Sequence, residues 1–458
     1  MRTKVAATWL IALAMAAAGQ FSLDGVCRAA VTADAAAILT PQNTSASSAD
    51  ASFPATGAVD GDRFSVAPGH LWRGADGEKS WTWQADFGKS TKLGAILQVL
   101  GDDESILAAA PLAYVWQVSD DGTNWRDVPS TSVANEQRMF RLHRLPEAVE
   151  ARYVRLSISS TGGKPPAIRE VEFFARPDQT IEFPDWVFAV GSEDTPQVDT
   201  CHRYLDLAHQ CKGWEHLPGQ YVWHGYFGPE VALVEPKPMC VFYTGNHRDW
   251  CEIDPTVWRG TQELLKNGSL PMWAACGGCQ AFGLLEENGC DVKWDCPNCR
   301  DPQHPKSPIY GHIGLVDPNV KTACGIYTNN IYERGPTPVR RVADDPVLRG
   351  LPDEFLVPEY HCGQLEYLPD GWDLIATRGK GGKTWMQCMR KRGTCIYAAQ
   401  FHIELQGTPE VSQQIMSNFL AYAKGWKSPN ESSASAGSPS ARHVAASTSA
   451  DATDTTGR

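Results

Sequence analysis

The chain has 458 residues, too many for one ordinary domain and suitable for two. Hydrophobic residues make up 42% and charged residues 21%, so packed cores can form and the chain is not disordered throughout. The 41 Lys and Arg against 53 Asp and Glu give a formal net charge of −12, and this acidic balance without a basic cluster argues against a nucleic-acid partner.

The first residues indicate export. A short basic start, Met1–Lys4, precedes the apolar run Val5–Ala18, and small residues suitable for cleavage follow as far as Ala29. This layout predicts a signal peptide over residues 1–30 and a secreted or periplasmic protein. A membrane anchor is the alternative, but a run of about 14 residues falls short of the roughly 20 that span a bilayer. Residues 31–52, rich in Ala, Ser and Thr, predict a flexible spacer.

The sequence pattern of residues 53–176 is typical of an antiparallel β-sandwich. Short alternating runs such as Trp81–Gly88, Tyr114–Val118 and Arg152–Ile158 are separated by turn signals such as Asp120–Gly122. Period-two alternation is typical of half-buried strands, and several such strands in series favour a sandwich.

Five strings in this region resemble the coagulation factor 5/8 type C (discoidin) domain. They are A-V-D-G-D at 58–62, A-D-F-G at 85–88, S-D-D-G-T-N-W at 119–125, R-Y-V-R-L at 152–156 and E-V-E-F-F at 170–174. The resemblance implies a jelly-roll module that presents loops to a glycan or another cell-surface ligand.

The same resemblance implies a structural calcium ion. Asp60 and Glu170 would be its carboxylate ligands, with backbone carbonyls over residues 61–65. The alternative is that Asp60 belongs only to a turn and Glu170 is a solvated charge. His70, Trp72 and Arg73 are candidates for a ligand-contact surface, although Trp72 fits a core position equally well.

Residues 182–427 alternate apolar, strand-like runs with helical stretches such as Pro255–Lys266, which predicts an α/β domain with a parallel sheet. Within it, the strand Leu270–Ala275 runs into small residues around Cys276 and then into a helix. Small residues permit the tight bend that exposes a nucleophile, and the helix start favours a thiolate. The amide of Gly277 is placed to bind an oxyanion.

A base and its orienting acid occur together near the end of this domain. A predicted strand ends at His402, and Glu404 lies two residues further, a spacing that returns a side chain to the same side. Glu404 can hold one imidazole nitrogen while the other faces the Cys276 thiol. The three residues therefore predict a Cys–His–acid triad.

These strings resemble the class I glutamine amidotransferases, whose motifs read G-x-C-x-G-x-Q and Q-F-H-P-E. The resemblance implies Cys276 as nucleophile, His402 as base, Glu404 as orienting acid and Gln280 as a residue that holds the amino-acid end of the substrate. It also implies a glycine oxyanion loop at Gly245. Substrate contacts of the family's Y-H-S segment would fall at His361 and Cys362.

Several positions depart from the family pattern. Ala274 replaces the first motif glycine, Ile403 replaces proline and Cys362 replaces serine, so glutamine itself is less secure as substrate than thiol hydrolysis. No synthase segment follows the domain, which favours hydrolysis of a glutamine or γ-glutamyl amide, as in γ-glutamyl hydrolases of similar fold. No cofactor is required for this chemistry. The alternative is a catalytically retired protein that binds a surface or glycan.

Thirteen of the 14 cysteines fall between Cys201 and Cys395. With Cys276 free, the other twelve could form six disulfides in an exported chain, or Cys276 and Cys279 could pair reversibly. Four candidate ligands for a structural zinc site also lie within 15 residues, with disulfides as the alternative. They are Cys290, Cys296, Cys299 and His304. The polar stretch 428–458 predicts a disordered tail.

Overall fold

The computed structural model describes residues 38–100, 109–134, 140–191, 198–223, 235–245, 250, 253–292, 294, 327–328, 333–361, 364–365, 368–380, 383–405 and 407–427. The predicted signal peptide and C-terminal tail lie outside these residues. So do four of the candidate site residues, namely Cys296, Cys299, His304 and Cys362.

Seven antiparallel strands form the N-terminal sheet, as the alternating sequence predicts. They are β1 (Asn43–Ala46), β2 (Trp72–Arg73), β3 (Trp81–Leu100), β4 (Pro111–Ser119), β5 (Arg126–Asp127), β6 (Phe140–Thr161) and β7 (Ala167–Phe174). The order is β2-β7-β3-β6-β4-β5, and β1 pairs with β3. The long strands β3 and β6 pair on both sides of register shifts, which allows the sheet to bend around its core.

Alternation builds this core. Along Trp81–Phe87 every second side chain is buried. Trp83 packs against Trp116 and Phe173, with ring centroids 6.3 Å apart in each case. The prediction of a flexible spacer up to residue 52 is wrong for β1, because its backbone pairs with Trp83–Asp86. Small polar residues can occupy an edge strand when the partner strand supplies the buried surface.

The second domain is built on a nine-stranded mixed sheet, ordered β14-β13-β16-β17-β18-β11-β10-β8-β9. Its strands are β8 (Val187–Gly191), β9 (Gly219–Trp223), β10 (Cys240–Tyr243), β11 (Met272–Ala275), β13 (Glu333–Arg341), β14 (Glu354–His361), β16 (Trp372–Lys380), β17 (Lys383–Lys391) and β18 (Ile396–Ala399). Two short strands, β12 (Tyr327–Thr328) and β15 (Gln364–Leu365), pair with each other.

Over the described residues four helices accompany the sheet: α1 (Val198–His209), α2 (Arg259–Asn267), α3 (Gly277–Asn288) and α4 (Pro409–Gly425). Short 3₁₀ turns at Pro255–Trp258 and Pro346–Leu348 begin with Asp side chains that accept a backbone N–H. The predicted parallel sheet is confirmed for β9, β8, β10, β11 and β18. The remaining strands add an antiparallel wing.

The parallel strands fix the position of the candidate site. Because β10, β11 and β18 run in the same direction, their carboxyl ends meet at one edge of the sheet. Gly245, Cys276 and His402 follow these three ends. Crevices at the carboxyl ends of parallel strands are where α/β folds place ligands.

Candidate active site and binding surface

Cys276 occupies a tight bend between β11 and α3. Its backbone has φ 49° and ψ −109°, a left-handed conformation that a residue with a Cβ adopts only under strain. The Cys276 N–H donates to the Ala399 carbonyl at 2.8 Å, and Gly278 N–H donates to the Thr244 carbonyl at 3.1 Å. The bend is therefore anchored to both neighbouring strand ends, as the small residues of the sequence predict.

His402 and Glu404 form a tight buried pair. His402 Nδ1 lies 2.6 Å from Glu404 Oε1, and the Glu404 side chain has no exposed area. The carboxylate fixes the ring so that Nε2 is directed away from it. The Cys276 sulfur lies close enough to the His402 ring to raise its pKa. The structure thus brings together the three residues that the sequence predicts as a triad.

A main-chain carbonyl completes the contacts of the nucleophile and the base. Tyr360 O lies 3.6 Å from Cys276 Sγ and 3.3 Å from His402 Nε2. The neighbouring Pro358 carbonyl accepts the His402 backbone N–H at 2.9 Å. The sequence analysis did not identify this role of β14, because a backbone carbonyl leaves no signature in residue type.

Electrostatics at the site favour the imidazolium. Burial alone would lower the pKa of His402, but the Glu404 carboxylate and the Cys276 sulfur outweigh it and hold the pKa well above its usual value. A protonated His402 can pair with a Cys276 thiolate, the nucleophilic form of the side chain.

The predicted oxyanion residues lie beside the thiol. A Cβ placed on Gly245 would lie 3.1 Å from His402 Cε1 and 3.8 Å from Cys276 Sγ, so the Gly245 backbone borders both groups. Gly277 is the first residue of α3, where backbone N–H groups lack helical partners. Both residues therefore border Cys276, Gly245 through space and Gly277 as its neighbour in the chain.

The predicted substrate-binding residues are placed differently from one another. Gln280 is buried, and its Oε1 accepts the Trp250 indole N–H at 3.0 Å, so the protein itself already engages the side-chain carbonyl. No signal in the sequence pointed to Trp250. The His361 side chain is also buried and lies 2.8 Å from Glu359.

The cysteine pattern is not a disulfide framework over the described residues. Seven cysteines there have free thiols: Cys211, Cys240, Cys276, Cys279, Cys290, Cys388 and Cys395. The prediction of six disulfides is wrong for the six of these other than Cys276, since all are buried as single thiols. Burial, with Cys276 and Glu359 nearby, raises the pKa of Cys279 well above its usual value, which opposes a redox dithiol.

The candidate zinc set is only partly described. Cys290 Sγ lies 2.8 Å from Gln262 Oε1, a hydrogen-bond contact of a free thiol. Over the part of the chain that the structure describes, no group of three or more His, Cys, Asp or Glu is placed to hold a metal ion.

The candidate calcium ligands meet at one end of the sandwich. Gly61 N–H donates to Glu170 Oε2 at 3.1 Å, and Asp60 Oδ2 lies 2.7 Å from His70 Nδ1. Burial, opposed by the Gly61 hydrogen bond and reinforced by Glu172 and Asp60, raises the pKa of Glu170 to about 8. A cation would offset both unfavourable effects, and because no three acidic or His side chains converge among the described residues, backbone carbonyls would have to supply its other ligands.

An open cleft lies over this region. Its lining includes Asp60, Arg63, Phe64 and His70, and the Phe64 side chain is 41% exposed. Trp72, by contrast, is fully buried, so the contact surface predicted at His70, Trp72 and Arg73 is wrong for Trp72. Its indole N–H donates to the Ser48 carbonyl, which satisfies the polar atom inside the core.

Comparison with known proteins gives a match for each domain. Residues 42–171 match the F5/8 type C domain. The glutamine-hydrolysing GMP synthase of Thermosipho africanus is 34% identical over 93 residues, 19% of this chain and 17% of that protein. The enzyme of Thermomicrobium roseum is 34% identical over 88 residues, 19% of this chain and 16% of that protein. The chain thus spans about a sixth of these curated relatives.

Two solved structures resemble parts of the chain at lower identity. A GMP synthase component from Thermoplasma acidophilum covers 53% of this chain and 96% of its own, at 16% identity and a TM-score of 0.37. A chitosan-binding module from Paenibacillus sp. covers 30% of this chain and 98% of its own, at 23% identity and a TM-score of 0.26. Both resemblances seen in the sequence are confirmed.

None of the helices over the described residues is long and apolar enough to cross a membrane.

Proposed function

We propose that this chain is an exported thiol amidohydrolase that acts on glutamine or γ-glutamyl amides and is tethered to a glycan by its F5/8 type C domain. The observation that carries the catalytic half is the strained Cys276 beside His402, with the Tyr360 carbonyl in contact with both and Glu404 2.6 Å from His402 Nδ1. The likeness to glutamine-hydrolysing enzymes supports the amide class. The basic and apolar start of the sequence supports export.

Acylation follows from the geometry. The Cys276 thiolate bonds to the amide carbonyl carbon, and the carbonyl electrons move onto oxygen beside the Gly277 N–H and the Gly245 backbone. His402 then gives its Nε2 proton to the amide nitrogen, the C–N bond breaks, and ammonia or an amine leaves. A thioester to Cys276 remains.

Hydrolysis reverses the proton movement. The neutral His402 takes a proton from water at Nε2, and the hydroxide adds to the thioester carbonyl. When this intermediate collapses, the Cys276 thiolate leaves, and the carboxylic acid product departs and gives its proton to the released amine or to water. Glu404 stabilises the imidazolium in both steps and keeps its own negative charge.

The cleft around Phe64 is the surface we assign to glycan contact. It combines an exposed aromatic ring with the polar side chains of Asp60, Arg63 and His70, a combination that suits a sugar's apolar face and hydroxyl groups. A calcium ion held by Asp60 and Glu170 would stabilise the loops that form it. A glycan array probed with the full chain should lose signal on Phe64→Ala, while the similarly exposed Leu356→Ala should not change it.

The catalytic half is tested with an electrophilic glutamine-like chloroketone. Intact mass and peptide mapping should show one adduct on Cys276, absent from Cys276→Ala and present in Cys290→Ala, a matched change at another buried cysteine. A γ-glutamyl anilide should be hydrolysed by wild type and Cys290→Ala, the two proteins that accept the adduct. Labelling of other cysteines in place of Cys276 would contradict the proposal.

A non-enzymatic binding protein is the second candidate, and one observation favours it. The Gln280 carbonyl, expected to face the substrate, is hydrogen-bonded to Trp250 inside the protein. If this contact closes the subsite, neither the chloroketone nor the anilide reacts, and glycan binding on the array is retained.

A further inference from the structure

Two buried ionisable side chains on β14 have no part in the proposed triad. Glu359 and His361 are 1% and 2% exposed, and Glu359 Oε2 lies 2.8 Å from His361 Nε2. Neither side chain has a hydrogen bond of good geometry, and among the described residues Glu359 Oε1 and His361 Nδ1 have no polar partner. The two side chains are therefore close together inside the protein without a hydrogen bond between them.

A buried pair without hydrogen bonds is not expected to stabilise the fold. Taking a carboxylate and an imidazole out of water is unfavourable, and this cost is offset only when hydrogen bonds satisfy the remaining polar atoms. Within the described part of the chain those atoms are unsatisfied. Buried polar groups that stay unsatisfied in a folded protein call for an explanation in function or strain.

The position of the pair supplies that explanation. Glu359 and His361 flank Tyr360, whose carbonyl contacts both Cys276 Sγ and His402 Nε2. The carbonyl just before Glu359 accepts the backbone N–H of His402. Alternation along a strand places the Glu359 and His361 side chains on one side, and the Tyr360 side chain on the other.

The pair also influences the nucleophile's helix. Burial, Cys276 and Glu359 together raise the pKa of the Cys279 thiol, in the first turn of α3. Glu359 therefore belongs to the strand that contacts His402 and also acts on the helix that begins at Gly277. A change at Glu359 acts on both supports of the site without touching the substrate.

We propose that Glu359 and His361 are positioning residues that fix the Tyr360 carbonyl against Cys276 and His402. The carbonyl accepts from the imidazolium Nε2–H, as Glu404 accepts from Nδ1–H, and so favours the protonated ring that pairs with a thiolate. This inference rests on the proposed function for its role in turnover, but not for its effect on the thiol.

The test follows alkylation of Cys276 by iodoacetamide against pH in the full chain. Fragment ions separate Cys276 from Cys279 in the shared peptide, and Glu359→Gln and His361→Asn are compared with wild type. Glu286→Gln is the matched control, since Glu286 lies on the same helix and pairs with Lys391. Anilide hydrolysis and thermal unfolding are measured on the same samples.

If Glu359 and His361 position the Tyr360 carbonyl, both variants should shift the alkylation midpoint in the same direction. Loss of the fixed carbonyl should move the alkylation midpoint up by about one pH unit, slow alkylation at pH 7 about tenfold, and lower kcat with KM unchanged. Removing a nearby negative charge by itself would favour the thiolate and move the midpoint of Glu359→Gln down. The control should keep the wild-type midpoint.

A midpoint that stays or moves down in both variants would overturn the inference, as would a wild-type Cys276 that is alkylated no faster than Cys290. If Glu359→Gln does not fold, the midpoint of His361→Asn decides alone. An upward shift in a protein that hydrolyses no glutamyl amide would overturn the proposed function and leave the positioning role intact.

Discussion

His402 Nδ1 lies 2.6 Å from Glu404 Oε1, and both side chains are buried. The two residues are close neighbours in the chain, so the acid that orients the base is supplied locally. The nucleophile comes from a distant strand end, through the parallel pairing of β11 with β18. The site therefore combines one local relationship with one that only the sheet can create.

Glu404→Gln tests the local relationship. The amide cannot stabilise the imidazolium, so kcat should fall by about two to four orders of magnitude. The pKa of His402 should also fall, because the negative charge of Glu404, which raises it, is removed. The alkaline limb of kcat/KM should therefore move to lower pH. Steady-state hydrolysis across pH measures both effects.

Glu410→Gln, at an exposed position on α4, is the control and should retain wild-type kinetics. An unchanged alkaline limb in Glu404→Gln would mean that the carboxylate does not act on His402.

Gly245→Ala tests the close approach at the predicted oxyanion loop. The new Cβ would lie 3.1 Å from His402 Cε1, tighter than ordinary contact, so the ring must shift. We expect kcat to fall about ten- to a hundredfold, the scale expected for a small misplacement of a catalytic group. Gly379→Ala is the control because no described atom lies within 4 Å of its Cβ, and equal activities of the two variants would remove the steric argument.

The triad was predictable because its signals are local strings. Small residues around Cys276 predict the bend, and the His402–Glu404 spacing predicts the pair. The Tyr360 carbonyl and the Gln280–Trp250 contact were not predictable, since both join segments distant in the chain.

Predictions made from composition were wrong where strand pairing or core packing determines the structure. The composition of Asn43–Ala46 predicts a spacer, but the segment forms β1 because its backbone pairs with β3. The sequence predicts that Cys388 and Cys395 form disulfides, but both are buried free thiols, since a free cysteine packs as a small apolar side chain. In each case the deciding contact is set by the fold and not by the residues themselves.

Glu170→Gln tests the acidic end of the sandwich. Because the pKa of Glu170 is raised from 4.5 to about 8, the folded state holds a proton that the unfolded state has lost between these values. Stability should therefore fall as pH rises through this range. Without calcium, the variant should lose less stability and melt roughly 2–4 °C higher at pH 8, as for a change of about 1 kcal/mol.

Calorimetry of the full chain, with and without calcium, measures this. Calcium should raise the wild-type transition at pH 8 and affect Glu170→Gln less, since one carboxylate ligand is missing. The exposed Glu147→Gln is the control. An equal response to calcium in wild type and Glu170→Gln would exclude Glu170 as a ligand.

Cys276→Gly and Cys276→Ala both remove the nucleophile, so both should be inactive, and they differ only by a Cβ at φ 49°. Backbone strain of this kind costs about 1–3 kcal/mol, part of which glycine offsets by its greater freedom when unfolded. The glycine variant should therefore be more stable than the alanine variant by about 1 kcal/mol in urea unfolding. Ala275→Gly, one residue earlier in regular strand, should be destabilised by about 0.5–1 kcal/mol. If glycine stabilises the protein at position 276 and destabilises it at position 275, the strain lies at the nucleophile, where it directs the thiol toward His402 at the expense of stability. If glycine changes stability in the same direction at both positions, the bend is relaxed.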